Sequence, residues 1–147
     1  MLKTQGVLHF TIPVKDLDRS EKFYTEVLGM EKLRRNNHMV FMRSGGTCFV
    51  LTYSENDINP NQGMAHDIHS AFTVSPEEYD RAKTLLPSKG ITIFKEENRS
   101  HGTFRGRSAY FHDPDRNVIE IMDLTAGPIS EAEEKREKAE GDIARTR

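Results

Sequence analysis

The chain has a single cysteine, Cys48, among its 147 residues, which excludes an intrachain disulfide framework. A reducing cytoplasm is therefore the expected setting. It also lacks any apolar run approaching the roughly 20 residues that span a bilayer. "MLKTQGVLHF" leads straight into a strand pattern, with no apolar core of the signal-peptide kind. Nor is there a surplus of one charge, since 21 Lys and Arg face 23 Asp and Glu, giving a net charge of -2 and a pI near 6.3. That balance gives no electrostatic footing for nucleic acid or an anionic membrane. What remains is a soluble composition, 35% hydrophobic and 30% charged, long enough to bury one core without staples. Cys48, inside "TCFVLTY", reads as a buried structural thiol.

The sequence repeats itself. "LHFTIPVKDLDRSEKFYTEVLGM" and "IHSAFTVSPEEYDRAKTLLPSKG" share a layout in which His9 and Val14 correspond to His69 and Val74, and Gly29 to Gly90. Each copy opens on alternation: Leu8, Phe10 and Ile12 oppose His9 and Thr11, while Ser70, Phe72 and Val74 oppose His69, Ala71 and Thr73. A helix follows each time. Ser75, Pro76 and Glu78 read as N-cap, first-turn proline and capping-box carboxylate, with Asp18 and Glu21 in similar roles in the first copy. The apolar stripes are Phe23, Tyr24, Val27 and Leu28, then Tyr79, Ala82, Leu85 and Leu86. Gly29 and Gly90 suit the left-handed position that ends a helix. Three strands are then predicted per copy, at about 31–36, 38–43 and 47–53, and at about 91–96, 105–112 and 117–123. "SGG" and "DPDRN" are the turns.

The fold class is therefore α+β, with two βαβββ modules. One domain is expected over 1–125, with module one at about 5–53, a polar linker at 54–67 and module two at about 68–124. Residues 126–147 form a charged tail with Glu131–Lys135 and Glu134–Lys138 spaced for helical ion pairs. It reads as a solvated end, or alternatively as a helix across a dimer partner.

Glu120 sits among Val118, Ile119, Ile121 and Met122 in a strand-like run, where a charge is costly unless compensated. Taken singly, it would pair with Arg105, Arg107 or Lys95, and His9 and His69 would each be a strand histidine with one hydrogen bond. Taken together, repeat-equivalent histidines and a carboxylate make a two-histidine, one-carboxylate set for a divalent metal, leaving coordination positions open.

At these residues the chain resembles the vicinal oxygen chelate superfamily, which includes glyoxalase I, extradiol dioxygenases, and fosfomycin- and bleomycin-resistance proteins. The marks are the two openings above and "YFHDPDRNVIEI". The resemblance implies paired modules curling into a half-barrel around one metal held by His9, His69 and Glu120, in a homodimer. Val50 stands where glyoxalase I has a fourth ligand, which leaves a three-ligand pattern. His101, Tyr110, the turn and Glu120 follow the order of the extradiol dioxygenases, whose matching residues handle protons and hydrogen-bond substrate. The chain departs from that signature at Ala109 and at Arg116, where a bulky apolar residue and a glycine are usual. Small fosfomycin-type proteins also share the "RSAYF" stretch, and Arg105 and Arg107 could then hold a phosphonate.

The expected function is thus a metal-dependent enzyme on a substrate that chelates through adjacent oxygens. Extradiol-type cleavage is the first choice, with His101 and Tyr110 catalytic and Fe(II) favoured over Mn(II), Zn(II) or Ni(II). The alternatives are a glyoxalase-like lyase, a fosfomycin-type thiol transferase, or a metal-free binder of the bleomycin-resistance type with Phe49, Tyr53 and Phe104 lining its cleft.

Overall fold

The computed structural model describes residues 1–58, 60–61, 66–124, 135–136 and 138–139. Module one runs β1 (His9–Val14), α1 (Leu17–Lys22), a π-helical turn (Phe23–Val27), β2 (Glu31–Arg35), β3 (Met39–Ser44) and β4 (Thr47–Tyr53). Module two runs β5 (His69–Val74), α2 (Pro76–Ser88), β6 (Lys95–Arg99), β7 (Gly106–His112) and β8 (Val118–Asp123). The βαβββ unit is present twice, and the strand order repeats with it: β1-β4-β3-β2 in one sheet, β5-β8-β7-β6 in the other. In the first, β1 runs parallel to β4, while β4–β3 and β3–β2 are antiparallel. The fold is α+β, as the double pattern predicts. By contacts the chain divides into two units, Met1–Ser70 with His112–Ile119, and Ala71–Phe111 with Glu120–Arg147.

Alternation decides which strand residues go inside. Phe10, Ile12 and Val14 turn inward while His9 and Thr11 stay exposed, and Phe72 is buried between exposed Ala71 and Thr73. Leu8 departs from this pattern: it precedes β1 and is exposed. Cys48 is half-buried rather than enclosed.

Helix punctuation is half as expected. Ser75 caps α2, accepting the Glu78 N–H at 3.2 Å, with Pro76 at the first position. In module one the cap is Asp16, not Asp18, and it accepts the Arg19 N–H at 3.0 Å. Asp16 has the extended backbone an N-cap requires (φ -141°, ψ 107°), whereas Asp18 already lies in the first turn. Glu21 is drawn off to Lys32 and Arg35 instead. Helix α1 then widens into the π turn, where the Thr25 hydroxyl donates to the Glu21 carbonyl at 2.8 Å. The wider turn lets the consecutive aromatics Phe23 and Tyr24 both bury, and Tyr24 packs on Phe49 at 5.6 Å.

Within the first unit, the "DPDRN" turn is fastened to α1. Asp115 receives Arg19 at 2.6 Å and the Ser20 hydroxyl at 3.2 Å, and Asp113 receives the Tyr24 hydroxyl at 3.0 Å. Asp113 also accepts the N–H groups of Asp115 and Asn117, while Asn117 donates to the Pro13 carbonyl. Burial pushes the Asp113 carboxyl up, and the hydrogen bonds from Asn117, Tyr24 and Asp115 oppose that rise. The turn needs one left-handed residue, and Arg116 fills the place at φ 66°.

Strand β6 lies later than predicted. Residues 91–94 stay outside the strand although Ile91 and Ile93 alternate as a strand would; the ladder pairs Lys95 with Tyr110 and ends with Arg99 opposite Gly106. Pairing with β7 and rows of opposite charge outweigh the local apolar pattern. Beyond residue 125, only Lys135, Arg136, Lys138 and Ala139 are among the described residues, and they are helical and exposed. The tail ion pairs and part of the linker lie outside the described residues. No helix among the described residues is long and apolar enough to cross a membrane.

Candidate metal and anion site

His9 opens β1, exposed, opposite Cys48 of β4, beside a Phe10 ring that stacks on Phe49 at 5.5 Å. His69 opens β5 and is likewise exposed. Its approach is held by side-chain hydrogen bonds. The Asn61 amide pairs with both backbone groups of Ile68, donating to its carbonyl at 2.7 Å and accepting its N–H at 2.8 Å. His69 Nδ1 lies 2.7 Å from the His66 carbonyl. A carbonyl can only accept, so Nδ1 carries the proton there, and in the neutral ring the lone pair is on Nε2. That is the tautomer a metal-binding imidazole adopts, with its second nitrogen anchored behind it.

In the second unit, Arg99 and Tyr110 are neighbours of Glu120, and Arg99 is a cation that the sequence did not nominate for it. Glu120 is 3% exposed in the fully buried β8. Arg99 approaches its carboxylate at 3.6 Å, and the Tyr110 phenol stands beside it. Tyr110 is itself fully buried, and its hydroxyl also meets Arg99 at 2.5 Å and Glu97 at 3.2 Å. Lys95, Glu97 and Arg99 alternate along β6 and so share one face. Glu97 takes Lys95 at 2.8 Å and Arg99 at 2.7 Å. Those two cations pull the Glu97 carboxyl down to about 2. Burial, followed by the Glu120 carboxylate, drives the Tyr110 phenol well above its ordinary value, so it remains a proton donor at neutral pH.

His101 is exposed in the bend before β7. Arg107 is committed to the second unit's frame: it holds Asp123 and Asp80, and lies over the Tyr79 ring at 4.5 Å. Val50 is buried in β4 and offers no donor atom. Arg99 and Glu97 were missed from sequence, although the alternation of Lys95, Glu97 and Arg99 was available as a signal. Asn61 left none.

The donor chemistry of His9, His69 and Glu120 fits a divalent ion: two imidazoles, one with its tautomer set, and a buried carboxylate. Among the described residues, no three His, Cys, Asp or Glu side chains stand as a group that could hold one.

A duplicated βαβββ fold with a histidine opening each module is the architecture of an α+β vicinal-oxygen-chelate protein. The chain belongs to the Glyoxalase/Bleomycin resistance protein/Dioxygenase superfamily, whose family model matches residues 6–121. It is 34% identical to glutathione transferase FosA of Serratia marcescens, over 80% of this chain and 79% of that protein. It is 30% identical to fosfomycin resistance protein FosX of Listeria monocytogenes, over 86% and 92%. A probable lactoylglutathione lyase of Vibrio cholerae is 31% identical, over 82% and 92%. Among solved structures, the chain resembles Listeria monocytogenes FosX complexed with Mn(II) and sulfate, with a TM-score of 0.68, 26% identity, and coverage of 84% and 94%. It resembles a point mutant of the same protein, complexed with Mn(II) and 1S,2S-dihydroxypropylphosphonic acid, with a TM-score of 0.69, 25% identity, and coverage of 84% and 94%.

Proposed function

We propose that the chain is a divalent-metal-dependent enzyme that adds a thiol or water to a small epoxide carrying a phosphonate, as fosfomycin-modifying proteins do. The observation that carries this reading is the donor cluster on β6 and β7: Arg99 and the un-ionised Tyr110 flank the buried Glu120 carboxylate, and Lys95 joins Arg99 on Glu97 along the same face of β6. A forked guanidinium, an ammonium and a phenol suit a phosphonate's oxygens. The relatives point the same way and lend no support to ring cleavage or to iron. His101 has no task in this reading.

His9, His69 and Glu120 would hold the ion, with manganese the favoured metal. When bound, it supplies a positive centre for adjacent substrate oxygens and for the charge that develops on the oxygen released from the ring. Arg99 and Lys95 orient the phosphonate, and Tyr110 donates to it while Glu120 faces the ion. The nucleophile forms one bond to carbon as the ring C–O bond breaks. It loses a proton and the freed oxygen gains one, so no oxidant is consumed. A homodimer is part of the proposal. His9 and His69 are exposed on strands that end their sheets, and Leu8 and Ile68 beside them are exposed too. A second copy would cover these edges and complete the ligand set. Reducing cytoplasm supplies the thiols such chemistry uses.

The test is protein purified without a chelating column, loaded with Mn(II), and given fosfomycin with and without glutathione or cysteine. A new phosphonate signal in the 31P spectrum is expected, and its absence under every condition refutes the assignment. A glyoxalase-like lyase is the second reading, favoured by the Vibrio cholerae relative and disfavoured by Val50. Isomerisation of the glutathione–methylglyoxal adduct by the same preparation would select it.

A further inference from the structure

The anion site inferred above already contains an anion. Lys95, Glu97 and Arg99 share one face of β6, and the Glu97 carboxylate uses both oxygens on groups that would serve a phosphonate. Oε1 takes Lys95 at 2.8 Å; Oε2 takes Arg99 NH2 at 2.7 Å and Arg99 Nε at 3.1 Å, and accepts the Tyr110 hydroxyl at 3.2 Å. An arginine fork, an ammonium and a phenol converge on a single carboxylate, and a tetrahedral oxyanion asks for the same donors.

Two carboxylates touch this cluster, and exposure separates their roles. The Glu120 side chain is 4% exposed and cannot leave, whereas that of Glu97 is 29% exposed and can swing into solvent. We infer that Glu97 is a specificity-determining internal counter-anion, which the anionic group of a substrate must displace to reach Arg99 and Lys95. This rests on the reading of those cations as the substrate's anion site. A weakly basic or singly charged group competes poorly against a carboxylate already held on the same strand. A doubly charged phosphonate competes well, because Coulomb attraction to the two cations scales with its charge. Glu97 thus sets a threshold of charge for entry.

The proposal predicts that removing an ion-pair partner improves binding. Inorganic phosphate is titrated into wild type, Glu97→Gln, Glu97→Ala and Arg99→Ala at fixed ionic strength, with melting curves to compare their folds. Loss of one negative charge beside a dianion at close range should tighten phosphate binding about tenfold in both Glu97 variants. Arg99→Ala should lose it. In unmutated protein, phosphate should also shift the Arg99 Nε–H resonance, a readout independent of any variant's folding. If folded Glu97 variants bind phosphate no tighter than wild type while Arg99→Ala loses it, the counter-anion role falls and the anion site stands. If Arg99→Ala binds as wild type does, or phosphate neither binds wild type nor moves the Arg99 signal, the anion site falls and the inference falls with it.

Discussion

Replacing Arg107 by leucine tests how the second unit is held. Arg107 places Nε and NH2 on Asp123 Oδ2 at 2.9 and 2.7 Å, and NH1 on Asp80 at 2.6 Å. It also reaches the Pro76 carbonyl and lies over the Tyr79 ring. The Asp123 side chain is 1% exposed, so Arg107→Leu strands a buried carboxylate. Breaking a fully buried pair costs about 3–5 kcal/mol. Arg107 is one-third exposed, so solvent screening lowers this to about 2 kcal/mol. Loss of the ring contact adds roughly 0.5–1 kcal/mol, for a total of about 3 kcal/mol. Leucine preserves much of the stem's packing, so the loss reports the charged end. Urea unfolding of Arg107→Leu, Asp123→Asn and the double variant measures it. The double variant should recover at least about 1.5 kcal/mol relative to the sum of the singles. A single-variant cost under about 1 kcal/mol, or plain additivity, would refute the reasoning.

Three further outcomes are expected. Arg116→Gly removes a left-handed non-glycine residue from an exposed turn position and should stabilise by about 0.5–1 kcal/mol, after allowing for glycine's greater unfolded freedom; a lowered melting temperature would contradict this. Glu97 has a folded pKa of about 2, below its unfolded 4.5, so its stabilising share is complete above pH 4.5 and fades as pH falls toward 2. The stability gap between wild type and Glu97→Gln should close over that window, and a constant gap would show the ion pairs contribute nothing. Asn61→Ala should weaken Mn(II) binding about tenfold and shift the His69 imidazole away from the Nδ1–H tautomer in 15N spectra, whereas His69→Ala should abolish binding. Unchanged tautomer and affinity would remove Asn61 from that role.

The duplicated architecture was legible because it rests on short-range signals: alternation at Phe10–Val14 and Phe72–Val74, the Ser75 cap, and left-handed Gly29 and Gly90. Errors arose where a distant partner decides. Residues 91–94 look like a strand, yet β7 pairs with Lys95–Arg99. The cap is a local error instead: Asp18 looks like one, yet the extended residue that accepts the Arg19 N–H is Asp16. The site divides the same way. Glu120 announced itself as a charge among apolar neighbours, but its companions Arg99 and Tyr110 depended on the β6–β7 register, which spacing does not encode. The clasp of Asn61 on Ile68 crosses seven residues with no periodic trace.

The π turn at Phe23–Val27 gives this stretch a tolerance of length that a plain helix lacks. A π turn holds one residue more than the α turn it replaces, so losing one residue there would close the backbone into ordinary α geometry with its flanks still in phase. In a plain α-helix the same loss would swing one side by about 100°. Arg19 and Ser20 would keep their hold on Asp115, and only the Tyr24 bond to Asp113 would be at stake.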